Sequence, residues 1–266
     1  MAPIRTTFTV DDLRPAAHAA GVGATVLVQT VPSEEETREF LAIADADPLI
    51  AAVTGWVDLT APDVADRLAA LLEAPGGPYL RAIRHGVQDE PDPSWLRRPE
   101  VQRGIQAVGA AGLAYELLIK PPQLPAALDV AHALSEVRFV LDHCGKPSIA
   151  EDFADTGDAF RVWRDAMYDL ADADNVVCKV SGLVTEARWD SWSASHLAPY
   201  VDVVMQSFTA QRAMFGSDWP VCLLATSYPD WVETVEVCCE GLSRSELRSL
   251  FAGTAATTYR IDLPET

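Results

Sequence analysis

Met214-Phe215-Gly216-Ser217-Asp218-Trp219-Pro220 reads as a buried strand that stops at a glycine and then presents a carboxylate. Pro220 has no amide proton to offer a ladder, so strand pairing ends there. A carboxylate at the C-terminal mouth of a parallel strand lies where barrel enzymes keep their acids, bases and metal ligands. On these seven residues alone, an aspartate that caps a helix or closes a turn accounts for the pattern equally well. The rest of the chain has to decide.

Short apolar runs alternate with amphipathic stretches from end to end. The expected strands are 24–29, 50–57, 80–84, 114–119, 139–143, 176–180 and 213–216. Their near-continuous apolar character suits parallel strands covered on both faces. Helical patterns fill the intervals at 34–46, 61–72, 99–111, 124–134, 160–171, 192–206 and 243–258, with a further one over 11–20. Ser33 with Glu36, and Ser243 with Glu246, have the spacing of a capping box. Strand, helix, strand at this pitch means parallel βα units. A doubly wound open sheet competes with a barrel, but it calls for a Gly-rich phosphate loop after an early strand, and none is present. The expected fold is therefore an α/β (β/α)8 TIM-type barrel spanning residues 1–266 as a single domain, with its first strand missing or atypical. The segment Arg5 to Val10 has some strand propensity but is short and polar for a central strand.

Bulk properties narrow the function. The length of 266 residues with 49% hydrophobic content supports a full core, and 22% charged residues is an ordinary value. A formal net charge of −19 argues against a nucleic-acid partner. It also repels anionic substrates unless an arginine receives them locally. The expected partner is a small-molecule substrate, with no nucleic acid and no membrane. The opening residues lack a basic start followed by an apolar core, no stretch is long and apolar enough to span a bilayer, and five cysteines form no C-x-x-C pair. Reduced thiols in a cytoplasmic protein are the expectation.

Four strand ends carry chemistry. Arg84 and His85 follow one, Asp142 to Pro147 the second, Lys179 to Leu183 the third, and Gly216 to Pro220 the fourth. His143 has the chemistry of an acid, a base, a carbonyl contact or a metal ligand, set against a core histidine bonded to a backbone carbonyl. Asp142 points to the opposite face and is read as a pairing or capping residue. Arg84 suits bidentate contact with an anion or carbonyl, against a surface ion pair. His85 is a weaker candidate by the same logic. Lys146 and Lys179 are read as structural or rim charges, and Glu116 as an interior carboxylate in need of a partner. Trp56, Trp219 and Trp231 are candidates to line a pocket, Trp219 against substrate, with core packing as the alternative. Gly-x-Ser-x-Gly, His-Glu-x-x-His and EF-hand patterns are all absent. A metal centre needs three or four protein ligands, and His143 with Asp218 is one too few.

Six ordered blocks resemble the amidohydrolase-related (amidohydrolase 2) family, in the branch of sugar lactonases and 2-pyrone-4,6-dicarboxylate lactonase. They are Val26-Leu27-Val28-Gln29, Gly55-Trp56-Val57-Asp58-Leu59, Ile83-Arg84-His85, Phe139-Val140-Leu141-Asp142-His143-Cys144-Gly145-Lys146-Pro147, Cys178-Lys179-Val180-Ser181-Gly182-Leu183 and Phe215-Gly216-Ser217-Asp218-Trp219-Pro220-Val221-Cys222. The resemblance implies a barrel hydrolase that opens lactones. It implies Asp218 as general base on water, His143 at the lactone carbonyl or ring oxygen, and Arg84 with His85 orienting the substrate. Some members of that family bind a divalent metal such as zinc, and others work without one.

One departure from the pattern matters. The family opens with a strand carrying His-x-His, and this sequence has no His-x-His pair anywhere. A start upstream of Met1 is the expected explanation. An inactive barrel that binds a ligand or partner is the alternative, since a missing strand leaves two sheet edges that a homo-oligomer is one means of covering. A metal-dependent decarboxylase of a neighbouring branch is the third reading, and it needs the same absent pair.

Overall fold

The computed structural model describes residues 4–151 and 157–262. All seven expected strands are present: β1 (Thr25–Val28), β2 (Ile50–Gly55), β3 (Leu80–His85), β4 (Ala114–Leu117), β5 (Phe139–Leu141), β6 (Val176–Val180) and β7 (Ala213–Phe215). They hydrogen-bond in sequence order, β1-β2-β3-β4-β5-β6-β7. The recorded ladders are parallel. Order and direction are those of a (β/α)8 barrel one strand short, since among the described residues no strand precedes β1.

The helices are α1 (Val10–Ala19), α2 (Glu34–Ala46), α3 (Val64–Leu72), α4 (Pro99–Ala110), α5 (Leu124–Ala133), α6 (Asp158–Ala171), the single turn α7 (Leu183–Glu186), α8 (Ala194–Phe208), α9 (Tyr228–Cys238), α10 (Arg244–Arg248) and α11 (Thr254–Tyr259). The long helix expected over 243–258 is broken between α10 and α11 by a π turn, Ser249–Gly253. The segment with marginal strand propensity near the N-terminus is not a strand. Thr9 caps α1 instead, and its amide donates to Asp12 Oδ2 at 2.8 Å. The threonine's two hydrogen bonds hold the Asp12 carboxyl below its usual range. The Ser243–Glu246 capping box forms as expected. At Ser33 only half of the box forms, because the Glu36 carboxylate accepts from the Thr30 and Val31 amides rather than from Ser33.

The described residues cluster into two compact units that alternate along the chain. The first comprises Met1–Gly23, Asp142–Asp172 and Val177–Thr254. Its core gathers Phe160 and Trp163, one turn apart on α6, against Tyr200 of α8, with the Phe160 and Tyr200 rings edge to face at 5.0 Å. Such aromatic pairs add about 0.5–1.5 kcal/mol beyond the area they bury.

The second unit comprises Ala24–Leu141, Ala173–Val176 and Ala255–Thr266. Alternation on β3 and β4 sorts its polar residues. Arg84 pairs in register with Glu116, and Ile83 with Tyr115, so successive positions point to opposite faces. Glu116 is fully buried and accepts from Thr54 Oγ1 at 2.9 Å and from the Tyr259 hydroxyl at 2.5 Å. Both donors reach the same oxygen, Oε1, of the interior carboxylate.

Tyr259→Phe removes one of those donors from a buried acceptor. It is expected to lower unfolding stability by about 1–3 kcal/mol, measured by urea denaturation. A variant as stable as the native chain would show that Glu116 does not depend on Tyr259.

Candidate active site

β5 ends at Leu141, two residues short of the expected strand, because the backbone turns left-handed. His143, Cys144, Gly145 and Lys146 have φ of 52°, 53°, 68° and 52°. Each non-glycine residue held there costs about 1–2 kcal/mol, so the turn persists only where its surroundings determine it. Those surroundings are explicit. Trp163 Nε1 donates to the Cys144 carbonyl at 2.8 Å, and the Cys144 thiol to the Lys179 carbonyl at 3.3 Å. The Lys146 amide closes on the His143 carbonyl at 2.8 Å, and its ammonium pairs with Glu186 at 3.4 Å. Asp142 and Lys179 form an ion pair at 2.8 Å, with side chains 0% and 10% exposed. Lys179 is therefore a buried partner rather than a rim charge, and Asp142 pairs as its position in the sequence suggested.

The turn presents the His143 ring between two partners. Nδ1 lies 2.8 Å from Ser181 Oγ, and Nε2 lies 3.7 Å from Asp218 Oδ1. The side chains are 10% exposed for His143 and 18% for Asp218, so His143 is buried and Asp218 is the more open of the two. Asp218 is also left-handed, with φ 53°. Its carbonyl accepts from the Cys222 amide at 2.9 Å. On either side of it, the Ser217 hydroxyl accepts from the Trp219 amide at 3.2 Å, and Trp231 Nε1 donates to the Gly216 carbonyl at 2.8 Å. Burial pushes the Cys222 thiol up to about 12, and the Asp218 charge adds to the shift. Trp219 is half-buried with its ring edge to face with Phe8 at 5.1 Å, whereas Trp231 is fully buried as a core residue.

A separation of 3.7 Å exceeds a hydrogen bond. An oxygen atom about 2.8 Å from both groups closes a triangle with them. The pair can therefore share a water or a substrate oxygen.

Ser181 was not anticipated as a partner of His143, though a hydroxyl followed by glycine at a strand mouth is a legible signal. Within the second unit, Arg84 Nη2 donates to the Gln29 carbonyl at 2.6 Å. His85 accepts from Trp56 Nε1 at 3.1 Å, faces Glu90 Oε1 through Nε2 at 2.8 Å, and stacks on Trp95 at 4.5 Å. Both its ring nitrogens are engaged within this cluster. Burial pushes the phenol of the neighbouring Tyr115 up, and the Glu90 charge adds to that shift.

Residues 2–261 match the sequence profile of amidohydrolases. The chain belongs to that family. It is 40% identical over 264 residues to the L-fucono-1,5-lactonase of Burkholderia multivorans, covering 97% of this chain and 87% of that one. Two crystal structures of an amidohydrolase from Burkholderia multivorans superpose on it with TM-scores of 0.92. One, with bound HEPES, is 39% identical, and the other, with bound zinc, is 38% identical; each alignment covers 98% of this chain and 92% of the other.

Among the described residues no group of three His, Cys, Asp or Glu side chains is placed to hold an ion. His143 and Asp218 supply two donors where zinc takes three or four. The described residues do not fit a zinc centre of the ordinary kind. No helix among the described residues is long and apolar enough to cross a membrane.

The Asp142–Lys179 pair yields a test of what holds the site. Lys179→Met strands a buried carboxylate and is expected to cost about 3–5 kcal/mol, while Asp142→Asn combined with it recovers much of that loss. Thermal unfolding of the single and double variants measures both. Equal destabilisation by the two would mean that the pair is not coupled.

Proposed function

We propose that the chain hydrolyses the lactone of a sugar acid, of the 1,5-lactone type on which its Burkholderia multivorans relative is named to act. The observation that carries this reading is the partly exposed Asp218 carboxylate 3.7 Å from His143 Nε2. It joins a base and a hydrogen-bond donor across the space of one oxygen atom.

In this reading Asp218 takes a proton from water as the water oxygen bonds to the lactone carbonyl carbon. His143 meets the oxygen on which negative charge develops. When the ring C–O bond breaks, the departing alkoxide recovers the proton from the Asp218 carboxylic acid. The product is the open hydroxy acid, and Asp218 returns to its carboxylate. The half-buried Trp219 beside the base suits the apolar face of a sugar ring.

Asp218→Asn keeps the shape of the side chain but cannot accept the proton. Turnover of L-fucono-1,5-lactone, followed by acid release, is expected to fall by roughly 10²–10⁴-fold, with the thermal unfolding profile retained. Undiminished turnover in that variant would sink the assignment.

A further inference from the structure

We propose that Ser181 is a positioning residue that holds neutral His143 in its Nε2–H tautomer. The imidazole then meets the substrate as a hydrogen-bond donor rather than as a base or a metal ligand. The inference rests on the lactonase reading for its consequence, although the tautomer itself is measurable without a substrate.

Ser181 follows β6 and is 1% exposed. Its hydroxyl lies 2.8 Å from His143 Nδ1, and among the described residues it has no other hydrogen-bond partner. A hydroxyl brings one proton and spare lone pairs. A buried donor without an acceptor costs about 1–3 kcal/mol, whereas an idle lone pair is tolerated more readily. The favourable arrangement is therefore Ser181 O–H donating to a bare Nδ1. The ring proton of the neutral imidazole must then be on Nε2.

The other end of the ring supports the same assignment independently. Nε2 faces Asp218 Oδ1 at 3.7 Å. An N–H dipole directed at a carboxylate is attractive, while a bare nitrogen lone pair there is repulsive. Both ends of His143 select one tautomer.

The packing leaves the ring little freedom to choose otherwise. Gly182 has φ +65°, and a Cβ there would lie 2.8 Å from both Cγ and Nδ1 of His143. A Cβ on Gly216 would lie 3.0 Å from Ser181 Cβ and 3.3 Å from its hydroxyl oxygen. Glycine at these two positions lets the ring and the hydroxyl approach, and turning the ring over would swap the partners that each nitrogen has.

The division of labour follows. Asp218 accepts the proton of water, and His143 Nε2–H donates to the oxygen that becomes negative. A fixed donor of this kind is worth roughly 10²–10³ in rate.

The test is the ¹⁵N spectrum of the imidazole side chains of the native protein at pH 8, with His143 identified among the five histidines by its loss in His143→Gln. The expected signature is a protonated Nε2 and a bare Nδ1. A protonated Nδ1 would overturn the proposal, and this measurement needs no Ser181 variant to fold. Ser181→Ala is then expected to mix or reverse the tautomer and to lower kcat on L-fucono-1,5-lactone by roughly 10- to 10³-fold, with KM little changed. Ser181→Thr, which keeps the hydroxyl, is expected to restore the native signature. An unchanged spectrum and kcat in Ser181→Ala would also overturn the proposal. If the native signature is found but no lactone is turned over, the lactonase reading fails while the hold of Ser181 on His143 stands.

Discussion

The backbone from 143 to 146 is left-handed at four consecutive residues, three of them not glycine. Local sterics oppose this conformation, so packing and hydrogen bonding must impose it. An indole, a thiol and two ion pairs supply that imposition, through Trp163, Lys179 and Glu186 of the first unit. His143 is where it is because the chain around it has been over-determined. The geometry of the candidate site thus depends on the turn as well as on the histidine itself.

The same unit separates two kinds of charge. Asp142 and Lys179 neutralise each other out of solvent, with no exposed surface for the carboxylate. Asp218 keeps some contact with solvent, and it stands too far from His143 for the two to satisfy each other. Pairs of the first kind are structural, and those of the second kind are available for work. Adjacent residues in the sequence, 142 and 143, belong to opposite classes. In the second unit, β3 makes a similar division between neighbours, with Arg84 in register with Glu116 and His85 absorbed into an aromatic cluster.

Much of this was legible in the sequence. The seven strands declared themselves as apolar runs, and the residues just past four of them are the ionisable and hydroxyl groups that the candidate site draws on. Asp142 as a pairing residue and Glu116 as an interior carboxylate followed from alternation alone. The left-handed turn was not legible, since Gly145 is its one residue with the usual signal for that backbone. The sequence left Lys179 between a structural and a rim charge, and only its partner Asp142 decides for the structural one. The helical pattern over 11–20 did place α1, but weak strand propensity over the residues just before it obscured its cap at Thr9. Tyr259 lies 143 residues from Glu116, and no periodicity connects them.

That last contact bears on the order in which the protein is made. Residues 24–141, most of the second unit, leave the ribosome well before Ala255–Thr266 exist. Until then Glu116 has Thr54 but lacks the tyrosine hydroxyl, and Arg138 lacks the Thr257 and Thr258 carbonyls to which it donates at 2.9 and 3.2 Å. Taking that carboxylate out of water is less favourable before Tyr259 has been made than after it. Glu116 and Arg138 therefore reach these partners only once Thr257, Thr258 and Tyr259 have followed them out of the ribosome.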